Sequence, residues 1–307
     1  MCAAERILIP WMLSAALCAC SADPPPAAEP PPSRAPFLLT LDELRGWSPD
    51  GPLADARNVS RVVLAERFAD PQSQLNGDLP ADARVLIAPD GIDGLGNYLD
   101  EQERFNLYTF THWSSVDVLN WFGGTAELTV SIPSRPWVEA AHRNGVKVLG
   151  TVFFAPEAWG GGEEAAIGFL RRDGAGGFPS ALRLIEIAEY YGFDGWLVNQ
   201  ETDLSGAGER AGDEFLDFMA FIVAQRPEGM EIHWYDSMLP GGRVDWQNEL
   251  NGNNARFLQD GNRKTADAMF VNYRADERCK PYQSPDSNRS PTATICASSG
   301  ERWASAH

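Results

Sequence analysis

The chain has 307 residues, enough for one large domain or two small ones. With 25 Lys and Arg against 43 Asp and Glu it carries a formal charge of −18, and its pI is about 4.6. That balance argues against nucleic acid and anionic membrane surfaces as partners and fits a soluble protein that handles neutral ligands.

The five cysteines, Cys2, Cys18, Cys20, Cys279 and Cys296, leave residues 21–278 without any. The expected folded body therefore has no disulfide, cysteine metal site or cysteine nucleophile. His112, His142, His233 and His307 show no metal-ligand spacing, so no metal and no cofactor is implied. Of the 10 Trp, those from Trp47 to Trp246 fall within the body. They fit either core packing or a sugar-binding cleft in which indole faces stack on pyranose rings.

In chain order, the apolar run ILIPWMLSAALCA at 7–19 follows Arg6 and is too short to span a bilayer. It reads as an export leader. LCAC, ending at Cys20, resembles a bacterial lipobox, so the expectation is a protein secreted or lipid-anchored through Cys20 at a bacterial envelope. Residues 21–36, SADPPPAAEPPPSRAP, are a Pro-rich linker with almost nothing to build a core.

From residue 37 onward, short apolar runs alternate with helical patterns. Strands are predicted at ARVLIAPD (83–90), VDVLNWF (116–122), VKVLGTVFF (146–154), GWLVNQE (195–201), MEIHWYDSM (230–238) and DAMFVNY (267–273). Helices are predicted at 135–145 and 181–192, each stopped by Gly, and at 212–227, stopped by Pro227. Continuous apolar strands separated by helices indicate a parallel sheet covered on its outside. Six such strands suit an open doubly wound sheet or most of a (β/α)8 barrel. No Gly-x-Gly-x-x-Gly follows the first strand. Polar residues instead gather where strands end, at Asp90, Asn199, Glu201, Tyr235, Asp236, Asn272 and Tyr273, as at the active face of a barrel. The expected fold is an α/β TIM-type barrel over 37–273 that lacks its last two strands. Residues 274–307 lose almost all aliphatic character. They read as an irregular, non-native tail such as a frameshift or mis-called gene end produces.

Asn199 and Glu201 lie two apart at the end of a strand, so they share a face while Gln200 points away. A solvated strand end tolerates such residues without function. Five segments in order, however, resemble the glycoside hydrolase family 85 endo-β-N-acetylglucosaminidases: APDGIDGLGNYLDE (88–101), AAHRNGVKVLGTVFF (140–154), GFDGWLVNQET (192–202), IHWYDSM with VDWQNELNGNN (232–254), and DAMFVNY (267–273).

The resemblance implies a retaining hydrolase of the chitobiose core of N-linked glycans or glycoproteins, in which the substrate's acetamido oxygen is the nucleophile. It assigns Asn199 to orient that acetamido group, Glu201 as general acid and base, and Tyr235 to touch the reacting group. Trp246, Asn272 and Tyr273 become candidate substrate contacts. Asp194 reads as a turn residue and His233 as a packed or structurally bonded one. Two other readings stand beside this: an inactive or sugar-binding remnant, and a family 18 chitinase-like hydrolase, whose acidic run Val198 and Asn199 fit poorly. Oligomeric state is not legible.

Overall fold

A computed structural model describes residues 33–67, 84–89, 92–100, 110–208, 210–272 and 294–296. The expected leader, lipobox and Cys20 lie outside these residues, as do Asp90 and Tyr273. Among the described residues no helix is long and apolar enough to cross a membrane.

The strands in chain order are β1 (Leu38–Leu39), β2 (Leu86–Ile87), β3 (Val118–Asn120), β4 (Val130–Ser131), β5 (Lys147–Phe154), β6 (Gly195–Gln200), β7 (Glu231–Tyr235), β8 (Gln259–Asp260), β9 (Arg263–Lys264), β10 (Ala268–Val271) and β11 (Thr294–Cys296). The α-helices are α1 (Leu41–Gly46), α2 (Arg135–Arg143), α3 (Glu163–Phe169), α4 (Pro179–Tyr191) and α5 (Ala211–Gln225). Seven strands stand as parallel neighbours in the order β2, β3, β5, β6, β7, β10, β11. The predicted parallel sheet is present, but among the described residues β2 and β11 are not paired, so no closed barrel is described.

Two differences have simple causes. The tail offers no recognisable strand, yet Thr294–Cys296 pairs with β10 in parallel, Phe270 facing Ile295. Three residues beside a fully buried strand need no amphipathic pattern of their own, which is why the sequence conceals them. The antiparallel pair β1–β4, which extends the sheet off the C-terminal half of β5, was likewise not expected from runs of two residues. Helix α1 announces itself by a capping box instead: Thr40 Oγ1 accepts from the Glu43 N–H at 3.1 Å and the Glu43 carboxylate from the Thr40 N–H at 3.0 Å.

The sheet has two differently filled faces. On one, Trp196 and Val198 of β6 and Ile232 and Trp234 of β7 join the large core under the helices. Trp196 is fully buried and its indole N–H donates to the Leu184 carbonyl of α4 at 2.9 Å. An aromatic string, Phe154–Phe169–Phe218–Phe178, runs through the same layer with centroids 5.0, 4.7 and 5.5 Å apart. Each such side chain contributes roughly 1.5–3 kcal/mol by leaving water. On the other face a small cluster of Leu197, Tyr235 and Phe270 packs against Leu86, Ala88 and Phe122. Period-two alternation along each strand sorts residues between the two faces.

The turn GFDG sets where β6 begins. Gly192 ends α4 with φ 76°, its N–H bonded to the Ala188 carbonyl. At Gly195, φ is 137° and a Cβ would stand 1.9 Å from the Glu231 carbonyl oxygen, so only glycine fits. Between them Asp194 Oδ2 accepts from the Val148 N–H and from His142 Nε2, both at 2.8 Å. His142 also uses Nδ1 against the Val62 carbonyl at 2.7 Å. Asp194 is thus structural, as its sequence suggested. Burial opposes a charge on His142, but the hydrogen bond and charge of Asp194 outweigh it and raise the imidazole pKa above 6.5.

Asp194→Asn should cost roughly 2–4 kcal/mol by leaving donors facing an amide. In the wild type the contribution of the pair is fully present below the ordinary histidine value and is lost as pH rises through the raised one. Urea midpoints measured across that interval should show this slope in the wild type and not in the variant. Equal slopes would refute the charged pair.

Candidate active site

The site is built at the C-terminal ends of β6, β7 and β10. Parallel register places Asn199 opposite Phe153 and Tyr235 opposite Phe270. Glu201 lies one residue beyond β6, yet its N–H still donates to the Phe154 carbonyl at 2.9 Å, so its backbone remains held by β5. Asn199, Glu201 and Tyr235 line one pocket with Ala88, Phe122, Leu197 and Phe270. The three residues assigned catalytic roles from the sequence therefore share one cavity, and the expectation that Asn199 and Glu201 share a face holds.

The polar groups meet an apolar wall, and that sets their electrostatics. Burial among these side chains is the larger influence on Glu201 and pushes its carboxyl above the ordinary range, against a lowering hydrogen bond from Asn199. The Asn199 side chain is 1 % exposed, and its Oδ1 has no hydrogen-bond partner among the described protein groups. A buried amide oxygen left unpaired costs on the order of 1–3 kcal/mol. Its place beside a raised carboxyl is what a site awaiting an N–H donor requires.

Gln200 points the other way, as strand alternation demands, and clamps the following loop. Its Nε2 donates to the Thr202 carbonyl at 2.6 Å, while Thr202 Oγ1 donates to the Ala155 carbonyl at 2.8 Å. Ser237 Oγ donates to the Gln200 carbonyl. Glu201 thus projects from backbone fixed on both sides.

The other sequence candidates separate. Asn272 stands at the end of β10: its Oδ1 accepts from the Tyr235 hydroxyl at 2.7 Å and its Nδ2 donates to Asn248 Oδ1 at 2.8 Å. Its described bonds make it a buttress of Tyr235. Trp246 is 39 % exposed in the loop that follows β7, and Trp159 is 68 % exposed after β5, whereas Trp47, Trp121, Trp196 and Trp234 are buried. The core reading holds for those four, while Trp159 and Trp246 stand at the surface. His233 is buried, its Nε2 bonds Glu231 at 2.9 Å, and it is not among the residues that line the pocket. Tyr273 lies outside the described residues.

Sequence reasoning noted Asp236 only as a polar strand end and passed over Asn248. Asp236 is 1 % exposed and accepts from the Gln247 and Asn248 N–H groups and from Asn254 Nδ2, at 3.3, 2.7 and 2.9 Å. The predicted strand 230–238 accordingly stops at Tyr235, because Asp236 turns to bind this loop. The asparagine-rich run after Trp246 was the available signal, since asparagine tolerates left-handed backbone and bonds its own chain.

Comparison with known proteins agrees with this geometry. The family model for glycosyl hydrolase family 85 matches residues 94–290, which carries the match beyond Tyr273 into the polar tail. The chain is 39% identical over 248 residues to the cytosolic endo-beta-N-acetylglucosaminidase of Gallus gallus and 35% identical over 246 residues to that of Danio rerio. These alignments cover 77% and 78% of this chain but 30% and 31% of the relatives, so the chain spans about a third of their length. The crystal structure of the glycoside hydrolase domain of Endo-D from Streptococcus pneumoniae R6 superposes with a TM-score of 0.62 at 30% identity, covering 76% of this chain and 36% of that one.

One expectation is overturned. The N-terminal segment suggested export to a bacterial envelope, whereas the curated relatives from fish, bird, mouse and human are all named cytosolic. A short apolar run followed by prolines is too generic a pattern to outweigh that. The family match over most of the chain, with the Asn199–Glu201 pair in its pocket, makes this protein a member of glycosyl hydrolase family 85.

Proposed function

We propose that this chain is an endo-β-N-acetylglucosaminidase that cleaves between the two GlcNAc residues of an N-glycan core by a substrate-assisted, retaining mechanism. The parallel sheet is then the greater part of a (β/α)8 barrel with its chemistry at the C-terminal strand ends. The observation that carries the reading is the unpaired, buried Asn199 Oδ1 beside a carboxyl of raised pKa in one apolar pocket.

Most glycosidases use two carboxyl groups, one of them as base or nucleophile. Among the described residues that line this pocket, Glu201 is the one carboxyl, and the amide of Asn199 stands beside it. A 2-acetamido sugar makes the second unnecessary. Its N–H donates to Asn199 Oδ1, which turns the acetamido carbonyl oxygen toward C1. That oxygen attacks C1 while Glu201 gives its proton to the departing glycosidic oxygen, and an oxazolinium forms with the Glu201 carboxylate left ionised. Water then attacks C1, Glu201 takes its proton, and the C1–oxygen bond of the ring breaks to restore the acetamido group. Two inversions at C1 give retention. The hydrogen bond that the Asn199 amide N–H donates to the Glu201 carboxylate steadies the ionised state between the steps.

The raised carboxyl suits the first step, because an ordinary glutamate is ionised near neutrality and has no proton to give. The Trp246 indole, partly exposed on the loop after β7, is a platform for the sugar beyond the cleaved bond.

Purified protein incubated with a high-mannose glycoprotein should release free glycan and leave one GlcNAc on the polypeptide, followed by mass spectrometry. Glu201→Gln should lower that rate by about 10²–10⁴-fold, the usual weight of general acid catalysis. Asn199→Ala should lower glycan release by about 10²–10³-fold yet still open a preformed sugar oxazoline. Normal release by Asn199→Ala would sink the substrate-assisted step; no release by a folded wild type would favour sugar binding alone.

The pH dependence follows from the direction of the shift. The rate that needs protonated Glu201 should fall on the alkaline side at a pH above the ordinary carboxyl value of 4.5. The raised value also means that ionised Glu201 is disfavoured in the folded state. Glu201→Gln should therefore be more stable than wild type at pH 7, with the gap closing below pH 4.5. Denaturant midpoints that coincide at both pH values would refute the desolvated carboxyl.

A further inference from the structure

Beyond Asn199 and Glu201, the buried carboxylate of Asp236 stands next to Tyr235 of the pocket. Asp236 immediately follows Tyr235, and its N–H donates to the Phe270 carbonyl of β10 at 2.9 Å. Its side chain receives the Gln247 N–H and Asn254 Nδ2 on Oδ1 and the Asn248 N–H on Oδ2. Those bonds fix the loop of residues 245–254 to the end of β7. Asn254 is itself buried and also donates to the Glu249 carbonyl at 2.8 Å, so the loop is fastened at both ends.

Held this way, Asn248 adopts φ 57° and is the one non-glycine residue with positive φ among the described residues. The conformation costs asparagine less than most residues, and here it aims the side chain back at the sheet. Its Oδ1 receives Asn272 Nδ2 at 2.8 Å, and its own Nδ2 donates to the Trp246 carbonyl at 3.0 Å. Asn272 in turn receives the Tyr235 hydroxyl proton on Oδ1 at 2.7 Å. Because Nδ2 of Asn272 is held by Asn248, its amide cannot turn over, and Oδ1 must face Tyr235.

We infer that Asp236 is a positioning residue for this site, acting through Asn248 and Asn272 to set the direction of the Tyr235 O–H. The inference rests on the proposed glycosidase reading. Its logic is that a hydroxyl rotates freely unless an acceptor is fixed, and the acceptor is fixed here by a chain of amides that ends on a buried carboxylate. None of Asp236, Asn248 or Asn272 needs to touch the reacting atoms for this purpose.

Asn248→Gly separates this role from folding, because glycine keeps the positive φ while the amide link to Asn272 is removed. The variant should retain the wild-type melting temperature within a few degrees and lose about tenfold in kcat on a glycan substrate. In a Tyr235→Phe background the same substitution should cost less than twofold, since the hydroxyl it directs is gone. Full-sized losses in both backgrounds, or wild-type kcat in Asn248→Gly, would overturn the inference.

A second readout is independent of catalysis. The Asn272 side-chain amide protons should exchange slowly with solvent by NMR in the wild type and quickly in Asn248→Gly, with backbone amides of β10 unchanged. Fast exchange in the wild type would overturn the network even if the enzyme is active. Slow exchange in a protein that releases no glycan would instead leave the network standing and reject the activity.

Discussion

The site depends first on the carboxylate of Asp194. A parallel strand pair has no hairpin to set its register, so the alignment of β5 and β6 must be fixed by side chains. Asp194 does so by accepting the Val148 N–H and His142 Nε2 just below the first residue of β6. From that anchor the ladder runs upward to Phe153 opposite Asn199 and on to the bond between the Glu201 N–H and Phe154. A slip of one residue would turn Asn199 and Glu201 into the helix-covered core and bring Gln200 to the pocket. The two glycines flanking Asp194 allow the turn that puts its carboxylate there, one by left-handed φ and the other by lacking a Cβ against Glu231.

The pocket holds groups that work against its own stability. Its walls of Ala88, Phe122, Leu197, Tyr235 and Phe270 partly shield a carboxyl from water and, among the described residues, leave an amide oxygen unpaired. The unpaired amide oxygen costs on the order of 1–3 kcal/mol, the raised carboxyl opposes folding where it is ionised, and both are the properties that the proposed chemistry needs. The core that carries this cost lies on the other face of the sheet, where Trp196, Trp234 and the aromatic string are fully packed. Chemistry and stability are thus separated by the alternation of β6 and β7, one side chain to each face in turn.

That separation explains what was legible in the sequence. The strands of β5, β6 and β7 were readable because they are buried on both faces and separated by helices whose ends Pro and Gly mark. Asn199 and Glu201 were readable because spacing of two fixes a common face whatever the tertiary detail. Tyr235 was placed by the motif it sits in. The short strands β1, β4 and β11 were not legible, since two or three residues carry no period and owe their conformation to the neighbour they pair with. Nor could spacing show that Asn272 faces another side chain before any ligand, because that follows from a loop folded over by Asp236. The export reading failed for a different reason: it relied on a short apolar run and a four-residue lipobox-like motif, local patterns that the cytosolic names of the relatives outweigh.

Two desolvated carboxyl groups now stand within the same end of the sheet, and their surroundings divide their roles. Burial pushes both Glu201 and Asp236 upward. Asp236 has both oxygens occupied by N–H donors, so adding a proton there would set a donor against donors. Glu201 receives its described side-chain bond from Asn199 alone and keeps an oxygen on which a proton can reside and be given away. In the proposed reading, environment rather than residue type makes one carboxyl a fastening and the other an acid. The asparagines divide in the same way: Asn248, Asn254 and Asn272 have amide oxygens already filled by protein N–H or O–H groups, while the Asn199 oxygen has no partner among the described residues and, in the proposed reading, takes the substrate's N–H.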